Sequence, residues 1–245
     1  MSEQNVYDNE VFFKEYFKLR QNADSANNLE EKPAIFVMIG DVRGKNILDL
    51  GCGYGENCRA FSDMGAKSVT GIDISKKMLE IAAKENSAPN ATYFNMPMEE
   101  ISGLTQKFDL VVSSLAIHYV QDYAGLAGRV YSLLNDGGLF VFSQEHPLTT
   151  APIGGAEWVR NADGEIDHYR LTDYMRTGER SVKWLIDGVI KYHRTFSELI
   201  NGLVTAGFRI EEVREPVSSP EVMRRLPRLK KELHKPNFLI IKVRK

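Results

Sequence analysis

The sequence predicts an α/β fold in which a mostly parallel sheet carries helices on both faces. Through residue 143, short apolar segments alternate with segments whose apolar residues recur at helical spacing. This alternation is typical of a parallel sheet, because parallel strands need long crossover connections that are usually helices. With 245 residues, the chain is large enough for one well-buried core and a modest insertion.

Residues 46 to 56, NILDLGCGYGE, predict a short apolar strand followed by a loop with glycine at positions 51, 53 and 55. Glycine lacks a Cβ atom, so such a loop can turn tightly and its backbone can lie against a ligand. The helix that follows presents free N–H groups toward the same place. A second strand ends on Asp73, where a carboxylate can accept hydrogen bonds from a ribose diol. The sequence therefore predicts a site for a ligand with an adenosine-like end.

The remaining segments continue the pattern to a total of seven strands. A helix runs to about Met64 and stops at Gly65, and Ser75 is placed to cap the next helix. Thr195 and Glu198 have the spacing of a capping box at the start of the last helix. Further strands are predicted at residues 91–95, 108–114, 139–143, 208–214 and 238–243. We expect the last two strands to be antiparallel neighbours.

Two segments fall outside the alternation, and they divide the chain into four parts. Residues 1–40 contain an aromatic-rich amphipathic helix from Val11 to Leu19, which we interpret as an N-terminal helical lid. Residues 144–194 are too long for a plain connection, so we interpret them as an inserted cap that helps to bind a second ligand. Residues 41–143 then form the nucleotide-binding half, and residues 195–245 complete the same domain.

The insertion contains the sequence of a β-hairpin. Asp187 and Gly188 separate two apolar runs, and Asp-Gly favours a two-residue type I′ turn. That turn would pair Ile186 with Val189, Trp184 with Lys191, and Val182 with His193. The aromatic residues of the insertion suit either a ligand pocket or a small core, and they are Trp158, Tyr169, Tyr174, Trp184 and Tyr192.

Composition excludes several broad classes of protein. The net charge is −2, so no bulk attraction to nucleic acid or membrane surfaces is expected. No apolar run approaches the roughly 20 residues that a membrane-spanning helix needs. The first residues show no basic segment followed by an apolar one, so we expect no secretory signal. Cys52 and Cys58 have neither disulfide nor metal-ligand spacing, and we expect a cytoplasmic protein that binds no metal.

The residue pattern of the glycine loop narrows the range of ligands that the loop can bind. A pyrophosphate-binding loop runs G-x-G-x-x-G, whereas this loop runs Asp49-x-Gly51-x-Gly53-x-Gly55. An acid two residues before the first glycine suits a ligand with a cationic ammonium group. The motif resembles the first motif of the class I S-adenosylmethionine-dependent methyltransferase family. The resemblance covers residues 40–143 closely and the last 50 residues more loosely, and it implies a Rossmann-like sheet of strand order 3-2-1-4-5-7-6.

The resemblance also implies S-adenosylmethionine as the cofactor and S-adenosylhomocysteine as its product. It assigns Asp49 and the loop backbone to the methionine part, Asp73 to the ribose hydroxyls, and Ile74 with Met78 to the adenine. The N-terminal helix offers an arginine, which can hold a carboxylate through two hydrogen bonds. The predicted cofactor-binding set is Tyr16, Arg20, Asp49, Gly51, Cys52, Gly53, Asp73, Ile74, Met78, Met98, Glu99 and Ser114.

The segment after the third strand departs from the family pattern. The family usually places an acid and then a small residue there, to meet the adenine amine and a ring nitrogen. In this chain those positions fall on Pro97 and Met98, followed by Glu99. Proline cannot replace a carboxylate. Two arrangements stay open: Asn95 accepts from the adenine amine, or Met98 offers only its backbone N–H.

Catalytic residues are harder to predict than cofactor-binding ones. Methyl transfer from a sulfonium is an in-line displacement, so alignment of the reacting atoms supplies much of the catalysis and a base is optional. The candidate catalytic residues are His118, Glu145 and His146, which follow the fourth and fifth strands. Each also suits a purely structural role. The Asn/Asp-Pro-Pro-aromatic turn that family members use to methylate amide or base amino groups is absent after the fourth strand.

These observations favour a methyltransferase that acts on an oxygen, nitrogen or carbon atom of a small molecule. A tRNA methyltransferase is the first alternative, because residues 218–245 carry nine basic residues against two acidic ones. A module that binds the cofactor without catalysis is the second alternative, since the glycine loop would look the same. A dehydrogenase that uses NAD is disfavoured by the missing third-glycine spacing. The sequence leaves both a monomer and a homodimer open.

Overall fold

The computed structural model describes residues 5–155 and 157–245, and it begins with two helices that precede the sheet. The first, α1 (Glu10–Gln21), starts where the Asn9 side chain accepts hydrogen bonds from the N–H groups of Val11 and Phe12. This helix matches the aromatic helix that the sequence predicts. The second, α2 (Lys32–Ile39), follows a short π-helical turn and was not predicted. Its apolar residues pack on the sheet.

The central part of the chain alternates strands and helices as expected. Its elements are β1 (Asn46–Leu50), α3 (Glu56–Asp63), β2 (Ser68–Asp73), α4 (Lys76–Glu85), β3 (Ala91–Asn95), β4 (Phe108–Ser113), α5 (Tyr123–Leu133), β5 (Leu134–Glu145) and α6 (Pro147–Thr150). The remaining elements are β6 (Glu157–Arg160), β7 (Ile166–Arg170), β8 (Gly178–Trp184), β9 (Ile186–His193), α7 (Phe196–Thr205), β10 (Arg209–Arg214), α8 (Pro220–Arg225) and β11 (Phe238–Arg244). Short 3-10 segments lie at Met98–Gly103, Ile117–Tyr119 and Pro227–Leu233.

The seven-stranded sheet has the order β3-β2-β1-β4-β5-β11-β10, which confirms the predicted topology. The pairs β1–β2, β2–β3, β1–β4 and β4–β5 are parallel, while β11 runs antiparallel to both β5 and β10. The strand order reverses between β1 and β4. The loops after β1, β2 and β4 therefore meet at one edge, which is where α/β sheets bind their ligands.

Each face of the sheet is covered by helices, because successive strand residues point to opposite faces. On one face, Phe61 of α3 and Met38 of α2 pack over Ile47 and Val69. On the other face, α5 and α7 pack over Leu48 and the neighbouring strands. The first turn of α7 is held by the predicted capping box between Thr195 and Glu198. The core thus fixes the strand ends that form the site.

The insertion, residues 144–194, contains two separate hairpins, β6–β7 and β8–β9. The β8–β9 hairpin was predicted, but its predicted register was wrong. Val182 pairs with Val189 and Trp184 pairs with Ile186, so the turn lies at Leu185 (φ +62°) and Asp187-Gly188 lies within β9.

Tertiary contacts explain this register better than the local turn sequence does. Arg180 pairs with Lys191 across the hairpin, and both side chains are buried. Arg180 donates to the carbonyl oxygen of Ala151 at 2.9 and 3.0 Å, and Lys191 donates to Glu145 at 2.6 Å. A slip of the register would separate these charged groups from their partners, which costs more than a favourable turn contributes.

A pair of buried carboxyl groups links the N-terminal segment to the C-terminal segment. Glu30 accepts a hydrogen bond from the Ser218 hydroxyl, and Glu232 accepts one from the Asn237 amide at 2.7 Å. Burial and the neighbouring Glu30 raise the pKa of Glu232 to about 8. Within residues 5–155 and 157–245, the second oxygen of each carboxyl has no donor from another residue, and a proton on Glu232 can be shared with Glu30.

Replacing Glu232 by glutamine should change how stability depends on pH. The folded pKa of about 8 lies above the ordinary value of 4.5, so the protonated form is favoured on folding. The stabilisation is complete below pH 4.5 and is lost as the pH rises through 8. Glu232→Gln should therefore flatten the free energy of unfolding between pH 5 and 8.5, as measured by urea denaturation. Glu221→Gln, an exposed change in α8, is the control. Equal pH slopes for Glu232→Gln and the wild type would contradict the assignment.

Candidate active site

A cavity of about 930 Å³ lies at the carboxyl edge of the sheet. Its wall combines the glycine loop, the end of β2, the segments after β3 and β4, the N-terminal segment and the β8–β9 hairpin. Nine of the predicted cofactor-binding residues line it: Tyr16, Gly51, Gly53, Asp73, Ile74, Met78, Met98, Glu99 and Ser114. Residues that were not predicted to bind the cofactor also line it, among them Tyr7, Tyr119, Asp122, Glu179 and Tyr192.

The glycine loop has the backbone that its sequence predicts. Gly51 and Gly53 have φ angles of +69° and +55°, a left-handed region that favours glycine. A Cβ atom on Gly51 would lie 2.6 Å from the Cβ atom of Ala116, so the loop there is packed against the segment after β4. A Cβ atom on Gly53 would meet nothing within 4 Å, so this residue opens onto free space.

Asp73 joins the glycine loop to the tip of β2. One carboxylate oxygen accepts from the N–H of Gly53 at 2.8 Å, and the other accepts from the N–H of Ser75 at 2.8 Å. Each oxygen retains a second lone pair, so the carboxylate can still accept two more hydrogen bonds. Burial raises the pKa of Asp73, while the two backbone donors oppose that shift. The side chain is thus held rigidly and has spare acceptor capacity.

The N-terminal segment is fastened over the cavity by polar contacts that sequence reasoning missed. Asp8 accepts from the Ser75 hydroxyl at 2.6 Å, and Asn5 donates to the carbonyl oxygen of Ile74 at 3.2 Å. These bonds place Tyr7 in the cavity wall. A sequence signal did exist, since Asp8 and Asn9 precede a helix, but its partner lies 67 residues away.

Three tyrosine rings form an aromatic wall of the cavity. The ring of Tyr7 is perpendicular to that of Tyr16 at 5.2 Å and to that of Tyr119 at 6.2 Å. Trp184 of the insertion packs behind Tyr16 at 5.9 Å. Such edge-to-face contacts add to the stabilisation that burial provides. The N-terminal segment, the segment after β4 and the insertion therefore meet at one cluster.

Comparisons with known proteins agree with this geometry. A family model described as a methyltransferase domain matches residues 47–138. The crystal structure of an S-adenosylmethionine-dependent methyltransferase from Mesorhizobium loti is 38% identical, covers 90% of this chain and 98% of its own, and superposes with a TM-score of 0.82. The chain belongs to the class I S-adenosylmethionine-dependent methyltransferase family. Its cofactor is S-adenosylmethionine.

Two sequence relatives show how far the similarity extends. A Haemophilus influenzae (strain Rd) protein is 36% identical over 98% of this chain and 96% of its own length. A ubiquinone biosynthesis O-methyltransferase from Albidiferax ferrireducens is 33% identical, but over only 49% of this chain and 50% of the relative. The chain thus spans about half the length of that O-methyltransferase.

The residues that line the cavity of this methyltransferase suit the cofactor independently of the comparisons. The spare acceptor capacity of Asp73 suits a ribose diol, and the open space at Gly53 allows a ligand to approach the backbone. Ile74 and Met78 line the same wall and offer apolar surface for a flat ring. These residues would hold the nucleoside end of S-adenosylmethionine.

Three predicted cofactor residues do not line the main cavity. Asp49 is buried below the loop and accepts a hydrogen bond from the thiol of Cys58 at 3.4 Å, and its burial raises its pKa to about 7. Cys52 is half-buried, and the loss of hydration around its thiol raises its pKa to about 11. Arg20 lies in a second cavity of about 590 Å³, where it donates to the Tyr54 hydroxyl at 3.2 Å. Their assignments to the cofactor remain predictions.

A buried carboxylate that sequence reasoning missed supports the segment after β4. Glu31, just before α2, accepts hydrogen bonds from the hydroxyls of Ser114 and Ser143. It also accepts from the side-chain amide of Asn27 at 2.6 Å. Burial raises the pKa of Glu31, while the serine hydroxyls oppose the shift. Since Ser114 lines the cavity, Glu31 orients one of the predicted cofactor residues.

The candidate catalytic residues lie close to the cavity but outside its wall. Glu145 is paired with Lys191 at 2.6 Å, and Lys191 lies 4.9 Å from the ring of Trp184. Burial acts to raise the pKa of Glu145, but His118 and Lys191 outweigh it and lower that pKa. The ring of His118 packs on Tyr119 at 4.3 Å, and burial lowers the pKa of His118 to about 4.

His146 is held by two hydrogen bonds. Its Nδ1 accepts from the N–H of Leu148 at 3.1 Å, so Nε2 carries the proton and donates to Glu215 at 2.8 Å. Burial lowers the pKa of His146, although Glu215 acts in the opposite direction. Both ring nitrogens are therefore occupied by structural contacts. The catalytic roles of His146, Glu145 and His118 remain predictions.

Gly51→Ala should damage both folding and cofactor binding. A left-handed φ costs alanine roughly 1–2 kcal/mol, and the new Cβ atom would displace Ala116 or the loop. We expect a lower free energy of unfolding in urea and weaker binding of S-adenosylhomocysteine by calorimetry. Gly103→Ala is the matched control, because Gly103 has no left-handed φ and open space around it. If both variants bind and unfold alike, the packed loop is not a constraint.

Proposed function

We propose that this methyltransferase transfers a methyl group from S-adenosylmethionine to a small molecule bound in the same 930 Å³ cavity. One observation supports this proposal most directly. Residues proposed to bind the nucleoside, such as Asp73 and Ile74, and residues of the insertion, such as Glu179 and Tyr192, line the same cavity. Its volume is at the upper end of the roughly 300–1,000 Å³ that small-molecule sites occupy, so it suits two small ligands side by side.

The N-terminal segment and the insertion act as lid and cap in this proposal. Both contribute aromatic side chains to the cavity, namely Tyr7, Tyr16 and Tyr192. Enclosure by these rings would exclude water from the reacting atoms and align them, which supplies much of the catalysis in such a displacement. When bound, S-adenosylmethionine supplies an activated methyl carbon, whose bond to sulfur breaks as an acceptor lone pair attacks.

The buried groups behind Tyr119 would act through it rather than on the acceptor. His118 packs on the Tyr119 ring, and the ammonium of Lys191 lies 5.9 Å from the same ring. Glu145 neutralises Lys191 in this cluster. We therefore assign His118 and Glu145 as residues that position Tyr119, and His146 as a residue that holds the end of β5 to Glu215.

The contacts of the basic C-terminal segment favour a small molecule over tRNA. Arg225 pairs with Asp24 at 3.1 Å, and Arg228 donates to the carbonyl oxygen of the same residue. Lys235 is buried, donates to Thr149 at 2.8 Å and lies 5.6 Å from the ring of Trp158. Lys235 is therefore withdrawn from phosphates, and the exposed Arg225 and Arg228 are partly compensated by Asp24. Similarity to an O-methyltransferase of ubiquinone biosynthesis over half the chain points the same way.

The location of the enzyme is also part of the proposal. Across the described residues, no helix combines the length and apolar composition needed to cross a membrane. Both cysteines carry free thiols. Free thiols persist in a reducing compartment, which supports the cytoplasm.

Replacing Asp73 should test the cofactor site. Asp73→Ala removes both acceptor oxygens that face the ribose and releases the N–H groups of Gly53 and Ser75, so we expect calorimetry to show roughly 100-fold weaker binding of S-adenosylhomocysteine. Asp73→Asn keeps one acceptor and should lose less. Asp136→Asn, an exposed change at the opposite edge of the sheet, should bind normally. Wild-type affinity in Asp73→Ala would refute the site.

Turnover is tested separately from binding. Purified protein is incubated with methyl-labelled S-adenosylmethionine and fractionated cell extract, and the label is followed into small metabolites, RNA and protein. Label in small metabolites is the expected result. Label in RNA would instead support the tRNA alternative. Tight cofactor binding with no labelled product from any fraction would support a non-catalytic binding module.

A further inference from the structure

The charged side chains that line the main cavity are all acidic. They are Asp73, Glu99, Asp122 and Glu179, and no lysine or arginine lines it in the part of the chain that the structure describes. Four tyrosines and several apolar side chains make up much of the remaining wall. A cleft lined by one sign of charge concentrates ligands of the opposite sign.

Two basic residues that contact the wall, Lys191 and Arg194, are committed to other partners. Lys191 is paired with Glu145 at 2.6 Å. Arg194 donates to the carbonyl oxygens of Val120 and Gln121, and its guanidinium lies 5.2 Å from the ring of Tyr123. The negative field of the cavity is therefore not cancelled by a cation in its wall.

The four acids differ in how much of their charge is already compensated. Asp73 is held by the backbone at the nucleoside end. Asp122 caps α5 through the N–H of Gly125 and lies 3.4 Å from Arg129. By contrast, Glu99 and Glu179 have no ion pair with any residue that the structure describes.

Glu99 and Glu179 come from different elements of the cavity wall, where Glu99 is half-buried and Glu179 is exposed. Glu99 belongs to the 3-10 segment after β3, and Glu179 lies on β8 of the insertion, where it pairs across the hairpin with Tyr192. Burial raises the pKa of Tyr192, and both Glu179 and Glu99 add to that increase while Arg194 opposes it. Both carboxylates therefore act on the same part of the cavity.

We propose that the methyl acceptor carries a positively charged ammonium group, which binds between Glu179 and Glu99 beside Tyr192. The assignment rests on the proposed function and names its substrate class. An ammonium ion there offsets two uncompensated carboxylates, whereas a carboxylate or phosphate acceptor would meet charge repulsion. The guanidinium of Arg194 lies 5.9 Å from the Tyr192 ring and already occupies part of its π face. The two carboxylates, rather than the ring, therefore supply most of the attraction for the ammonium group.

The test uses three ligands of similar shape on the complete protein saturated with S-adenosylhomocysteine. Tyramine carries an ammonium group, 2-(4-hydroxyphenyl)ethanol carries a neutral hydroxyl in the same position, and 4-hydroxyphenylacetate carries a carboxylate. Because the sulfur of S-adenosylhomocysteine is uncharged, repulsion between a sulfonium and the ammonium of tyramine does not enter the comparison. Equilibrium dialysis at low salt and at physiological salt gives the three affinities.

Tyramine should bind about fivefold or more tightly than the alcohol, and the carboxylate should bind most weakly, with the preference reduced by salt. Glu179→Gln should remove most of the advantage of tyramine without changing the affinity for S-adenosylhomocysteine. Glu165→Gln is the matched control, since Glu165 is an exposed glutamate of the insertion that does not line the cavity.

Three results would overturn the inference: equal or tighter binding of the carboxylate, a tyramine preference that survives Glu179→Gln, or no binding of any of the three ligands. Each of these can occur while S-adenosylhomocysteine still binds, so they count against the acceptor class alone. Failure to bind S-adenosylhomocysteine would instead count against the proposed function.

Discussion

The carboxylate of Asp73 is the contact on which the geometry of the site depends. It bonds the N–H of Gly53 on the loop after β1 and the N–H of Ser75 at the start of α4. Ser75 in turn caps α4 through the N–H of Met78 and donates to Asp8. One acid at a strand end thus fixes the glycine loop, the start of α4 and the N-terminal segment that lines the cavity. Such bonds to an ionised group are stronger than bonds between neutral groups.

The insertion is held to this core by a different kind of contact. The buried pair of Lys191 and Glu145 joins β9 to the end of β5, and Arg180 donates to the backbone around α6. Burying such charges is costly unless each is paired, so this arrangement tolerates little displacement. The same pair lies behind Tyr119, which lines the cavity. The position of the insertion and the shape of the cavity beside Tyr119 are therefore set together.

Local signals in the sequence predicted the parts of the fold that local interactions determine. The alternation of strands and helices, the Ser75 cap and the capping box at Thr195 each depend on residues within one turn of each other, and all are present. The predicted register of β8–β9 was wrong because the observed register depends on Arg180 and Lys191, which bind partners outside the hairpin. Glu31 was missed for the same reason, since its partner Ser143 lies 112 residues away.

The candidate site also has one part that the sequence predicts and another part that it does not. The loop from Gly51 to Gly55 is visible in the sequence, because left-handed backbone angles strongly favour glycine. The family model also matches this part of the chain, and its residues 47–138 end before the insertion begins. The family model is thus confined to the part of the chain that carries the glycine loop, whereas the Mesorhizobium loti methyltransferase resembles 90% of the chain. Tyr192 and Glu179 come from the insertion, so they can vary without disturbing Asp73 or the loop. Under the proposed assignment, the insertion supplies the part of the wall that selects the acceptor, and the Glu179 carboxylate makes that selection depend on charge.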